Sequence, residues 1–293
     1  MSAATTTPQR AVTPAGTRGP AFGRVLAAEW TKVVSLRSPW WTAAATVLVG
    51  GAITYLSAQA SSVDPGFQPV DSLTTGLVLA QIGPLVLGVL VGAGEFRTGA
   101  VRTTFTTVPR RWPVLAAQAL VVGAFALGVG VLTALASALG ILPPAASRGI
   151  TVDLAAGDGP GLLLGTALLV VGLALLGHAL GALLRRTVPA LVTALVVVLV
   201  LPVVLMTASD PLLAGGDPAS LTAAGTVPRV TLVGTLNILT PGTAGSLMTT
   251  SPSAGAMEGT PDLGPVGGGL VLAAWVLVLL VAAAVRLRTR DVR

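Results

Sequence analysis

Residues 161–207 read GLLLGTALLVVGLALLGHALGALLRRTVPALVTALVVVLVLPVVLMT. Arg185, Arg186 and Thr187 are the only pause in two long apolar runs. A helix rises 1.5 Å per residue, and about 20 apolar residues cross a bilayer. The stretch therefore predicts two membrane spans joined by a minimal basic turn, with Pro189 helping to start the second.

The rest of the chain fits. Of its 293 residues 53% are hydrophobic and 10% charged, and the mean hydropathy is +0.86. A soluble domain carries about 25% charged residues, so the composition is that of an integral membrane protein. Cysteine is absent, which excludes disulfides and thiolate metal sites. Some forty polar residues precede the first long apolar run, too many for a cleavable signal peptide. Six stretches are long enough to span: 40–59, 73–94, 114–139, 161–184, 188–207 and 266–285. Pro84 and Pro202 fall inside two of them, which membrane helices tolerate when neighbours satisfy the freed carbonyls. The expected fold is an all-α integral membrane protein. Residues 1–20 form a disordered cytoplasmic tail, 21–38 an amphipathic interface helix and 39–293 a six-span domain.

Loop charges orient the spans. Fifteen of the seventeen Lys and Arg residues lie on one side, with only Arg148 and Arg229 on the other. Eight of the eleven acids lie on that other side. By the positive-inside rule the basic side is cytoplasmic, and both termini with it. The net charge of +6 is then membrane topology and not a nucleic-acid surface. Trp40, Trp41 and Trp112 fall at the cytoplasmic boundaries, where amphipathic rings prefer to sit. The expected location is a bacterial plasma membrane.

Several chemistries lack their residues. Ion coupling needs ionisable groups at depth. The span interiors hold no Asp, Lys or Arg, and His178 is expected to be a hydrogen-bonded or boundary histidine without an acidic partner. Neither a Gly-x-Ser-x-Gly elbow nor a His-Glu-x-x-His zinc motif appears. Lys32 follows Thr31 and not Gly, so there is no phosphate loop. No enzyme activity, cofactor or metal is expected. What the spans do hold is glycine pairs four apart: Gly88/Gly92, Gly161/Gly165 and Gly177/Gly181. These predict close helix packing and an oligomeric seam.

Two cytoplasmic segments are patterned. In 21–36, Phe22, Leu26, Trp30, Val33, Val34 and Leu36 fill one helical arc, and Arg24, Thr31 and Ser35 the opposite one. Pro39 is expected to break this helix from the first span. Glu29 lies inside the apolar arc, so it should face protein and pair with an arginine of 95–111. That segment, EFRTGAVRTTFTTVPRR, packs four arginines and five threonines between two spans. Val101, Phe105 and Val108 share a face, and Pro109 ends the turn. A charge anchor needs no ordered apolar stripe, so the segment reads as a docking knob for a cytoplasmic partner.

AEWTKVVSLRSPWW at 28–41 and EFRTGAVRTTFTTVPRRWPVLAAQAL at 95–120 resemble actinobacterial ABC transporter permeases of the type-2 exporter class. NILTPGTAGSLM at 237–248 resembles, more loosely, a segment these permeases carry before their last span. The resemblance implies the permease subunit of an ATP-driven exporter, working as a dimer with a second copy or paralogue. A separate ATPase, which binds the ATP, would dock on a coupling helix in the loop 95–112. The docking residues would be Glu95, Arg97, Arg102, Phe105, Val108, Arg110 and Arg111. The N-terminal interface helix, with Glu29, Trp30, Lys32 and Arg37, would lie on the membrane as a connector, and the outer loop 208–265 would fold back as short re-entrant helices. An alternative of another class is a non-transporting sensor or assembly protein with the same fold. The apolar span interiors favour an apolar or amphiphilic cargo.

Overall fold

The computed structural model describes residues 21–98, 112–208, 230–251, 255 and 259–289, with backbone only for 95–98 and 288–289. Every regular element among them is helical. Six helical runs are long and apolar enough to cross a membrane: 37–61, 69–94, 112–147, 159–184, 187–208 and 264–287. These match the expected spans to within a few residues at most ends. The result is an all-α, multi-pass membrane fold.

The chain opens with α1, Phe22–Ser35. Leu36 is extended at φ −83°, ψ 140°, and α2 starts at once, Arg37–Ser61. The break therefore falls three residues before Pro39, which sits in the first turn of α2. A proline there loses nothing, because the first helical N–H groups have no intrahelical acceptor. Trp40 bridges the break: its Nε1 donates to Val34 O at 2.9 Å, and its ring meets Phe125 edge-on at 5.4 Å.

The second span is not one helix. A 3₁₀ turn, Pro69–Ser72, leads into the short α3, Leu77–Ala80, and then α4, Ile82–Thr98. Pro84 thus stands in the first turn of α4 and not in mid-span. Thr54 of α2 accepts from the Gly76 N–H at 3.3 Å, so a threonine on the neighbour supports the broken stretch. The third helix, α5, Trp112–Ser147, runs 36 residues, eight past the expected end. Its extra turns cap one end of the bundle: Ile141 packs there with Phe67, Leu73 and Leu162.

Next come α6, Gly159–Leu184, and α7, Thr187–Leu195. A π-helical turn, Val196–Val200, joins α7 to α8, Leu201–Ala208. Two short helices follow, α9, Leu232–Ile238, and α10, Pro241–Leu247. The last helix is α11, Gly264–Thr289.

α6 is the hub. It packs on α4, α5, α7 and α11, and 67% of its apolar stretch is buried. The corresponding share is 17% in the α7–α8 run and 22% in both α2 and α11, so those helices leave apolar faces uncovered. The glycines explain the hub. A Cβ on Gly88 would overlap Ala174 O, and one on Gly92 would overlap His178 O. Facing them, a Cβ on Gly177 would overlap Leu85 O, and one on Gly181 would stand 2.9 Å from Val89 O. The two expected pairs therefore interlock with each other inside one chain, and this seam is not oligomeric. Gly161/Gly165 behaves differently. A methyl on Gly161 would have no atom within 4 Å, while Gly165 receives the Met248 carbonyl.

Candidate coupling end and the short-helix wedge

Apart from Arg148, which follows the last residue of α5 at the far end, the described span boundaries that carry arginines fall at one end of the bundle, and α1 lies there too. α1 buries Val25, Glu29 and Val33, chiefly against α5. Val25 meets Val114 and Ala117, while Val33 joins Val121, Val122 and Phe125. Phe22 and Trp30 are exposed. The apolar arc read from the helical wheel thus splits into a protein-facing edge and an open one.

Glu29 is 5% exposed and does face protein. Its described partner is Lys32, one turn on, with Nζ 2.6 Å from Oε1. The lysine keeps its charge half in water while its ammonium reaches the buried carboxylate. The arginine expected as partner belongs to 95–111. Glu95 and Arg97 lie on the last turns of α4, where only the backbone is described. Arg102, Phe105, Val108, Arg110 and Arg111 lie outside the described residues. The segment leaves α4 after Thr98 and re-enters α5 at Trp112, so its two ends are held by two bundle helices. Arg37 starts α2 and is exposed.

A contact that charge counting could not supply lies nearby. Arg185 ends α6 in the left-handed region, φ 58°, with its N–H on Gly181 O at 2.8 Å. Its Nη2 donates to Arg286 O of α11 at 3.1 Å, and Arg286 Nη1 donates in return to Leu183 O. Two guanidinium groups thus cap each other's helix C-terminal carbonyls, where cations are favoured. The only advance signal was the position of both arginines in or just after a last turn.

His178 is fully buried beside the α4–α6 seam, six residues before the end of α6. Its ring faces the Leu115 backbone in the first turn of α5. A buried polar atom left without a partner costs about 1–3 kcal/mol, so this contact matters to the packing.

At the opposite end α9 and α10 form a wedge. Each opens on a threonine cap: Thr231 Oγ1 accepts from Gly234 N at 2.9 Å, and Thr240 Oγ1 from Thr243 N at 3.4 Å. Pro241 takes the first position of α10, where its missing N–H is no loss. Thr240 Oγ1 donates to Asn237 O at 2.8 Å, and Thr243 Oγ1 to Asn237 Oδ1 at 2.9 Å. The corner between the two helices is therefore polar but internally satisfied. Trp275 of α11 clamps it through Nε1 to Leu239 O at 2.8 Å.

Three helices hold the wedge through glycine. A Cβ on Gly242 would overlap Val198 O in the π turn. That carbonyl is the one Pro202, four residues on, cannot satisfy. Gly268 of α11 sits against Ala244 O, and Gly165 of α6 against Met248 O. Gly245 faces Leu169 at 2.7 Å from a Cβ. Leu169 lies ten residues into α6, so α10 reaches roughly 15 Å down that helix.

No protein-family model matches the chain, and no curated protein matches it.

Proposed function

We propose that this chain is the permease subunit of an ATP-driven exporter in the plasma membrane, with both termini in the cytoplasm and the ATPase supplied by a separate subunit. The observation that carries the reading is the pairing, at one end of the bundle, of an amphipathic helix tied into its core with the arginine–threonine segment 95–111. Val25, Glu29 and Val33 fasten α1 to α5, and α5 begins where that segment ends. A push on 95–111 is delivered directly to α4, α5 and α1. The sequence has a docking stripe, Val101, Phe105 and Val108, but no phosphate loop, so it has a handle and lacks a motor.

The wedge at the far end supports the same reading. In this proposal α9 and α10 dip into the outer leaflet as re-entrant helices and gate the exit. The exposed apolar faces of α2 and α7–α8 fit a second permease copy or a paralogue. The cargo class is amphiphilic.

The test is purification of the tagged full chain from its native membranes in mild detergent, followed by reconstitution of the purified material. A phosphate-loop ATPase should accompany it in equal amount, and ATP should drive movement of an amphiphilic dye across the vesicle wall. Purification of the chain alone, with no ATP-dependent movement, contradicts the proposal.

A further inference from the structure

At the end opposite α1, α6 and α11 leave an apolar groove of about 660 Å³ between them. Its walls are aliphatic, with Leu164, Leu168 and Leu175 on α6 and Leu270, Val276 and Leu277 on α11. Four wall positions are glycine; Gly165 and Gly172 are closely met by Met248 and Leu272, and Gly161 and Gly269 are not. Most glycines of this bundle are required by a backbone that touches them. Here nothing lies within 4 Å of a Cβ on Gly161, and one on Gly269 would meet only the Met248 side chain at 3.6 Å or more. Glycine within a helix such as α11 is unfavourable relative to alanine. What these two contribute is room.

The groove adjoins a smaller cavity of about 180 Å³, and the two share Pro265. Thr250, Ser251 and Asp262 line the smaller one. Asp158, which accepts from the Ser251 hydroxyl, stands beside it. No Lys or Arg occurs among the described lining residues of either space. From Gly161 to Leu175 the groove runs roughly 21 Å along α6. One leaflet of hydrocarbon is roughly 15 Å deep. The combined shape is a tail-length apolar slot topped by an acidic, hydroxyl-bearing pocket.

We propose that this cleft is a lipid site. The acyl chain of a membrane lipid lies between α6 and α11, and an ammonium headgroup sits in the pocket of Asp262. Charge complementarity selects the head, and the open glycines admit the tail. The site stands whether or not the chain transports anything.

The probe is phosphatidylethanolamine against its N-acetylated derivative, which keeps the chains and phosphate but lacks the cation. Lipid retained per chain after detergent exchange is read by native mass spectrometry of the full-length protein. An exposed carboxylate–ammonium pair implies a preference of up to about fivefold for phosphatidylethanolamine. Asp262→Asn should bring the ratio to about one while a lipid is still retained. The double variant Gly161→Leu/Gly269→Leu should lose about one retained lipid per chain. Both positions have open space, so it should elute as a monodisperse peak like the parent. Equal retention of the two lipids by the parent protein, or ratios and counts unchanged in both variants, overturns the site. Disulfide-linked chains from Gly269→Cys in native membranes would show that a second copy covers the groove, and would overturn it too.

Discussion

α6 uses glycine on two faces, with opposite results. Toward α4, Gly177 and Gly181 interlock with Gly88 and Gly92 until backbone touches backbone. Toward α11, Gly161 meets nothing and Gly269 meets only a methionine side chain, and a groove stays open. The residue type is the same on both faces, and three of these glycines come from one helix. The difference is what stands opposite. Where the facing helix also offers glycine at the same spacing, the axes close and each carbonyl lies where a side chain would be. Where the facing helix offers Leu270, Val276 and Leu277, they stay apart. Spacing alone therefore does not name a seam; the partner's pattern does.

The largest effect expected from this contrast is at the closed seam. Gly88→Leu forces α4 off α6 and should cost about 3 kcal/mol or more. In a thermal-aggregation assay that corresponds to a fall of roughly 6–12 °C. A fall under about 2 °C would break the comparison. Next is the clamp between α6 and α11. Arg286→Ala removes the donor to Leu183 O and should cost about 1–2 kcal/mol, read by the same assay. His178→Leu sharpens the contrast within the seam. It keeps a similar volume and removes the ring's contact with the Leu115 backbone, so stability should fall by about 1 kcal/mol. An unchanged or raised stability would mean the ring makes no bond there. The smallest effect belongs to the open face. Gly269→Leu should change stability by under about 1 kcal/mol, with a gain favoured by helix propensity.

The sequence was most legible where one physical rule acts alone. Apolar length located six spans, and the basic turn at Arg185–Arg186 set α6 beside α7. Local breaks were not legible, because they depend on neighbours. Pro39 marked a helix end but sits inside α2, since Leu36 took the extended conformation instead. The sequence reads 73–94 as one continuous span, and only Thr54 from α2 shows why the backbone near Gly76 can unwind. The π turn before Pro202 needed Gly242, far along the chain, to leave room for the freed carbonyl. At the arginine-bearing end the buried placement of Glu29 followed from the helical wheel, but its described partner is Lys32. A wheel shows which face is apolar, and cannot show whether protein or lipid covers it. It therefore grouped Trp30, which is exposed, with Val33, which is buried.

The seam and the wedge frame the bundle, and in the proposed reading segment 95–111 is where it would be driven. Phe105 heads its apolar stripe. The most direct measurement is ATP hydrolysis and dye movement in vesicles holding the chain and its co-purified ATPase, for the parent protein and for Phe105→Ala. Truncating one buried anchor residue at an interface typically costs about 2 kcal/mol or more. The expected result is that Phe105→Ala still inserts and folds, while transport per ATP hydrolysed falls by about tenfold or more and ATPase retention on the column weakens. Unchanged retention together with unchanged transport would contradict the proposal that this segment is the handle of a permease.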